Sequence, residues 1–166
     1  MDLKSRVMMY YAISILFRDE MGIYDFIKIA RDVTGVHIDE PKVDEVIDEF
    51  NQLFVNPFGE RLYPIKGKYV NGDQAEILLD IVSDYLREGY SVASGIRPDH
   101  ISVITEFVGT MLEKGKISVA NKFIAKHTKW IIEFCKKVES KGRIYGSVAK
   151  LVREFIEQEF RDTKPS

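Results

Sequence analysis

Residues 118–139 read SVANKFIAKHTKWIIEFCKKVE, and this stretch decides the fold. Ala120, Phe123, Ile124, His127, Trp130, Ile131, Phe134, Cys135 and Val138 recur every three or four residues, the period of a helix that buries one face. No glycine or proline interrupts them, so the spacing predicts one long helix at the centre of a core.

Working outward, the same period appears in both directions and the alternation of a strand is nearly absent. Towards the C-terminus, Tyr145, Val148, Ala149, Val152, Phe155 and Ile156 mark a last helix, with Arg161–Ser166 expected to fray. Towards the N-terminus, Ile101, Ile104, Phe107, Val108, Met111 and Leu112 form a stripe that begins after Pro98 and is closed by Gly115. Asp73 suits an N-cap for a helix whose inward stripe is read as Ala75, Leu78, Leu79, Val82, Tyr85 and Leu86, ended by Gly89. Pro41 opens a helix with Val43, Val46, Ile47, Phe50, Leu53 and Phe54 inward and Asp44, Glu45, Asp48 and Glu49 turned to water. Two further helices carry Leu3–Phe17 and Ile23–Val33, the second stopped by Gly35. The expectation is an all-α, single-domain bundle of about seven helices over residues 1–166, joined by short loops except at two places. These are Asn56–Gly72, broken by Pro57, Gly59, Pro64, Gly67 and Gly72, and Tyr90–Arg97.

With 166 residues and 45% hydrophobic content, the chain can bury a stable core without cross-links. Cys135 is the single cysteine, so no internal disulfide forms and a reducing, cytoplasmic location is expected. The net charge of −2 provides no field to attract a phosphate backbone, which argues against nucleic acid as a partner. Asp2, Lys4, Arg6 and Arg18 interrupt the apolar start, which reads as a core helix and not as a membrane span or export signal.

Catalytic signals are sparse. His37, His100 and His127 lack the i, i+4 spacing of a helical metal pair, and there is no phosphate-binding loop or dinucleotide fingerprint. No catalytic residue, cofactor or metal is therefore assigned. His127 and Cys135 lie on the apolar stripe, where a hydrogen-bonded core imidazole and an inert thiol explain them. The run Arg97-Pro98-Asp99-His100 stands apart. Proline and aspartate suit a helix start, whereas an imidazolium there is disfavoured by the helix dipole. Asp99, Glu106 and Glu113 are seven residues apart, about 10 Å between successive members on one helical face. With Val103 and Thr110 between them, they form an acidic line that could pair with guanidinium groups of a peptide.

Three blocks give the chain a family resemblance over about residues 46–160. Phe50, Leu53, Phe54 and Pro57, followed by Tyr63, Pro64, Tyr69 and Val70, resemble an aromatic-Leu-Phe segment and its Pro- and Tyr-containing loop. Pro98, Asp99 and His100 with Glu106 and Phe107 resemble a Pro-Asp-His motif followed by Glu-Phe. Phe123, His127, Trp130 and Phe134 resemble a Phe-x-x-x-His-x-x-Trp-x-x-x-Phe block. Together they resemble the TorD/DmsD/NarJ family of redox-enzyme maturation chaperones. The chain departs from that pattern in having the single Pro64 in place of a proline-rich run, and Lys66-Gly67-Lys68 in place of a small acidic or serine-containing stretch.

The resemblance implies a TorD-like, non-enzymatic cytoplasmic chaperone. Its partners would be the signal peptide, often of twin-arginine type, and the apo-form of a molybdenum-cofactor oxidoreductase catalytic subunit, held until the cofactor is inserted. By carry-over, Pro98, Asp99 and His100 belong to the peptide site, bordered by Tyr63, Pro64 and Tyr69. The chemistry of such a peptide adds Glu106 as a carboxylate, and Leu53, Phe54 and Val103 as the apolar wall of an acid-lined recess. Two other readings stand beside it: an assembly protein that binds a folded reductase subunit without recognising signals, and a small hydrolase or nucleotide-binding protein using His100. The hinge-like loops also permit a homodimer by helix exchange.

Overall fold

The computed structural model describes residues 1–163. Among them are eight α-helices and no strand: α1 Leu3–Leu16, α2 Gly22–Thr34, α3 Val43–Phe50, α4 Gln74–Arg87, α5 Ile101–Glu113, α6 Ile117–His127, α7 Lys129–Lys141 and α8 Ile144–Thr163. The all-α expectation holds, with one more helix than expected, because the 118–139 stretch is two helices. Thr128 breaks it. Both its N–H and its Oγ1 donate to the Ile124 carbonyl (3.2 and 2.7 Å). The His127 carbonyl is taken by the Trp130 indole N–H (2.9 Å), so the Ile131 N–H turns to Thr128 instead (3.0 Å). Side chains thus occupy the acceptors that would have carried the helix through.

α1 packs against both α2 and α5, and α7 lies along α8, with α6 bridging α5 and α8. The core holds two aromatic groups. Phe17, Phe50, Phe54, Phe134 and Tyr145 make mostly edge-to-face contacts on the α3–α7–α8 side. Tyr85, Tyr90, Phe107 and Phe123 pack together where α4 meets α5 and α6.

Several local expectations change. α3 begins at Val43 with Lys42 as its cap, so Pro41 precedes the helix. A π-turn, Asn51–Val55, then follows α3 directly. Glu49, read as facing water, accepts hydrogen bonds from the Arg143, Ile144 and Tyr145 N–H groups (2.8, 3.1 and 2.6 Å) and so caps α8 from another element. On α4, Leu79 and Leu86 are 66% and 69% exposed, and Ile81 and Tyr85 are the buried residues. The Tyr85 hydroxyl donates to the Pro98 carbonyl (2.7 Å) and Asp80 and Asp84 pair with Lys126 (2.8 and 3.1 Å), which fixes that face inward. α8 continues through Arg161, Asp162 and Thr163, expected to fray, and Lys164–Ser166 lie outside the described residues. No described helix is long and apolar enough to cross a membrane.

Candidate functional site

The loop that follows the π-turn does not hang free. Backbone hydrogen bonds tie it back to the π-turn, where the Leu62 N–H donates to Leu53 (2.7 Å), and to the start of α5, where the Ile101 N–H donates to Pro64 (2.9 Å) and the Lys66 N–H to Asp99 (3.0 Å). Ile65 and His100 form an isolated antiparallel bridge. Lys66–Lys68 then make one 3₁₀ turn. The blocks that sequence reading placed far apart thus meet in one seam.

At the centre of the seam is Asp99, which is fully buried. Its Oδ1 accepts from Arg97 Nε (2.8 Å), and its Oδ2 from Arg97 Nη2 (3.1 Å) and the Gly67 N–H (2.8 Å). A guanidinium fork on both oxygens, with a backbone amide, fully satisfies a carboxylate withdrawn from water. Gly67 leaves room for this packing, which a side chain would have to displace. A Cβ would collide with Gln74 Oε1 and stand 3.0 Å from Arg97 Nη2 and 3.1 Å from Asp99 Oδ2. Gln74 uses that space to donate its amide to the Gly67 carbonyl (2.9 Å).

His100 is the N-cap of α5. Its Nδ1 accepts from the Ser102 N–H (3.1 Å) and lies 2.8 Å from Ser102 Oγ. An acceptor imidazole is neutral, and burial pulls its pKa down from 6.5 to about 4. The capping roles expected of Pro98 and Asp99 therefore pass to His100, and the dipole objection disappears because the ring carries no charge. Asp99 precedes the helix, so it does not align with Glu106 and Glu113 as the heptad spacing predicted.

The other end of the turn is held by a chain of three groups. Lys66 Nζ donates to His127 Nδ1 (2.9 Å), and His127 Nε2 donates to Asp84 Oδ2 (2.6 Å). His127 is fully buried, and burial, opposed by the Asp84 hydrogen bond, brings its pKa to about 4. Burial also pushes the Lys66 ammonium down from its ordinary value. Next in the loop, Tyr69 stacks on Trp130 (5.7 Å, 30°) and meets Phe134 edge-on (6.0 Å, 83°). The Tyr69–Trp130–Phe134 grouping is the seam's apolar anchor.

The ten predicted site residues therefore fall into four places. Pro64, Tyr69, Pro98, Asp99 and His100 share the seam. Leu53 and Val103 are buried at 6% exposure each, and Phe54 packs among Phe17, Phe50, Phe134 and Tyr145, so these three belong to the core rather than to a peptide-facing wall. Tyr63 lies beyond the seam, with Arg61 and Lys68 over its ring at 4.5 and 4.9 Å. Glu106 is 44% exposed and pairs with Arg18 (3.2 Å), against α1. The expected acid-lined recess is thus corrected. The principal clefts, of about 370 to 500 Å³, are lined by other residues, Tyr63 excepted. Sequence reading missed Gly67, Lys66, Asp84 and the guanidinium of Arg97. Lys66-Gly67-Lys68, where the chain departs from the family pattern, was the available signal.

The family model described as "Nitrate reductase delta subunit" matches residues 25–137, a span that includes all three blocks and the whole seam. No curated protein matches. Among solved structures, a candidate redox enzyme maturation protein from Archaeoglobus fulgidus is 22% identical and superposes with a TM-score of 0.69, covering 92% of this chain and 93% of its own, which shows a shared fold. With more than half of its length matched, the chain belongs to the nitrate reductase delta subunit family, the NarJ/TorD-like chaperone family.

Proposed function

We propose that the chain is a cytoplasmic, non-enzymatic maturation chaperone that binds the N-terminal signal of a molybdenum-cofactor oxidoreductase, often of twin-arginine type, and holds the apo-subunit until its cofactor is inserted. The observation that carries this reading is the family match over residues 25–137. The chemistry of the seam agrees with it. His100 and His127 are neutral and engaged in caps and pairs, the arrangement of a scaffold and not of an acid–base centre. Pro98, Asp99, His100, Tyr63, Pro64, Tyr69 and Glu106 are proposed to belong to or border the peptide contact.

The test is calorimetric titration with the N-terminal signal peptides of the oxidoreductases encoded in the same genome. Micromolar or tighter binding that weakens with salt is expected, because arginine–carboxylate contacts near a surface are screened. If no signal from the same genome binds, the signal reading falls.

One observation favours a second reading, in which the protein holds a folded reductase subunit and ignores the signal: Asp99 is sealed beneath Arg97. Pull-down with a client lacking its signal separates the two. Retained capture supports the second, and loss supports the first.

A further inference from the structure

We infer that Asp99 is a guanidinium subsite already filled by the chain's own Arg97, and that an arginine of the client engages it by taking Arg97's place. This rests on the signal-binding reading above and adds to it how that site is gated.

Three features carry the inference. First, the two partners differ in burial. The Asp99 side chain is 0% exposed, whereas the Arg97 side chain is 43% exposed. The carboxylate is a fixed fitting and the guanidinium closes it from the solvent side. Second, Arg97 ends an irregular segment that includes Gly95 at φ 86° and in which Ser91, Ala93, Ser94, Gly95, Ile96 and Arg97 are all exposed. Within it the Ile96 N–H makes one long backbone contact, 3.4 Å to Ala93. Removing the Arg97 head group to water therefore dismantles no packed layer. Third, the remainder of the subsite stays when Arg97 leaves. The Gly67 N–H still holds Oδ2 at 2.8 Å, the Lys66 N–H still donates to the Asp99 carbonyl, and the Gly67 turn keeps clear the space in which the fork lies.

The exchange is chemically even. One planar fork on two carboxylate oxygens is replaced by another, so no charge is left buried and unpaired at the end. A lysine could not take the place equally, because its single ammonium cannot bridge both oxygens in that geometry. The subsite thus selects arginine and rejects a partner that offers only positive charge. The internal occupant also sets the affinity: a site open about a tenth of the time binds about tenfold more weakly than the same site held open.

Two variants test this, Arg97→Ala and Arg97→Lys, the second keeping a positive charge beside Asp99 so that the fold is retained. The first readout needs no client. Millimolar ethylguanidinium should raise the unfolding midpoint of Arg97→Ala, while ethylammonium should not, and neither should act on Asp99→Asn/Arg97→Ala. The second readout is affinity for a synthetic peptide in which an arginine pair precedes an apolar stretch. Both single variants should bind it about tenfold or more tightly than the natural chain, and the double variant should lose the gain. A purely structural Arg97 predicts the reverse, weaker binding in the variants. Absence of guanidinium rescue together with unchanged or weakened peptide binding overturns the inference and leaves the signal reading intact. Rescue in a chain that binds no such peptide shows that Asp99 accepts an outside guanidinium but overturns its use by a client signal, and with it the signal reading.

Discussion

Lowering the pH from 7 to 5 should destabilise this protein through two histidines, and the size of the loss follows from their surroundings. His127 lies between Lys66 and Asp84 at zero exposure, and His100 offers its Nδ1 lone pair to the start of α5. Both have folded-state pKa values brought down from 6.5 to about 4. A folded pKa below the unfolded one means that the unfolded chain binds more protons between those limits, so stability is intact above pH 6.5 and is lost as pH falls towards 4. At pH 5 nearly all of each unfolded imidazole is protonated and little of the folded one. The linkage relation then gives roughly 2 kcal/mol per histidine, or about 4 kcal/mol together. Against a total stability on the order of 10 kcal/mol this is a large fraction. Urea unfolding at pH 7, 6 and 5 measures it, and His127→Gln should reduce the pH-dependent part by about half. A stability that stays flat from pH 7 to 5, with imidazole proton resonances that titrate near 6.5, would refute the reasoning.

Other parts of the fold are open to the same kind of test. Gly22→Ala places a methyl group against the backbone carbonyl of Ile15, which cannot rotate away, so a loss of about 3 kcal/mol is expected in denaturant unfolding. Glu49→Ala strips three N–H groups at the start of α8 of their acceptor and should cost about 1–2 kcal/mol, with Glu49→Asp recovering part of it. Cys135 is fully buried, and burial raises its thiol well above the ordinary range. A thiol reagent should therefore label it at the rate of global unfolding, and fast labelling of the native chain would contradict the packing of α7 on α8.

The helices were legible because their apolar residues keep a 3.6-residue period, and stops such as Gly35 and Gly115, at φ 76° and 77°, do what glycine does after a helix. The misreadings share a cause. On α4 the leucines at 79 and 86 and the pair Ile81 and Tyr85 mark adjoining stripes of one helix, and periodicity alone cannot tell which faces inward. The hydrogen bond that Tyr85 donates to Pro98 and the one that Asp84 accepts from His127 decide it. The break at Thr128 escapes the pattern for the same reason. It depends on a hydroxyl and an indole claiming carbonyls, and both side chains are compatible with an unbroken helix.

The candidate site was legible as a set of residues and misread as a surface. Proline, aspartate and histidine in sequence before a helix have the residue types of a recess, and nothing within that run shows that the carboxylate is covered. The cover comes from Arg97, two residues upstream, and from a glycine amide 32 positions away, set in place by a lysine that is itself tied to His127. Buried polar groups of this kind are stabilised as a set, because an unpaired member carries the cost of its lost hydration. It follows that the three sequence blocks are coupled through structure. Asp99, His127 and Trp130 hold the Lys66–Tyr69 turn from three sides, in the same loop that carries Tyr63. A motif preserved for holding this loop and one preserved for contacting a client would look the same in the chain. What separates them is whether the Asp99 carboxylate can exchange its guanidinium.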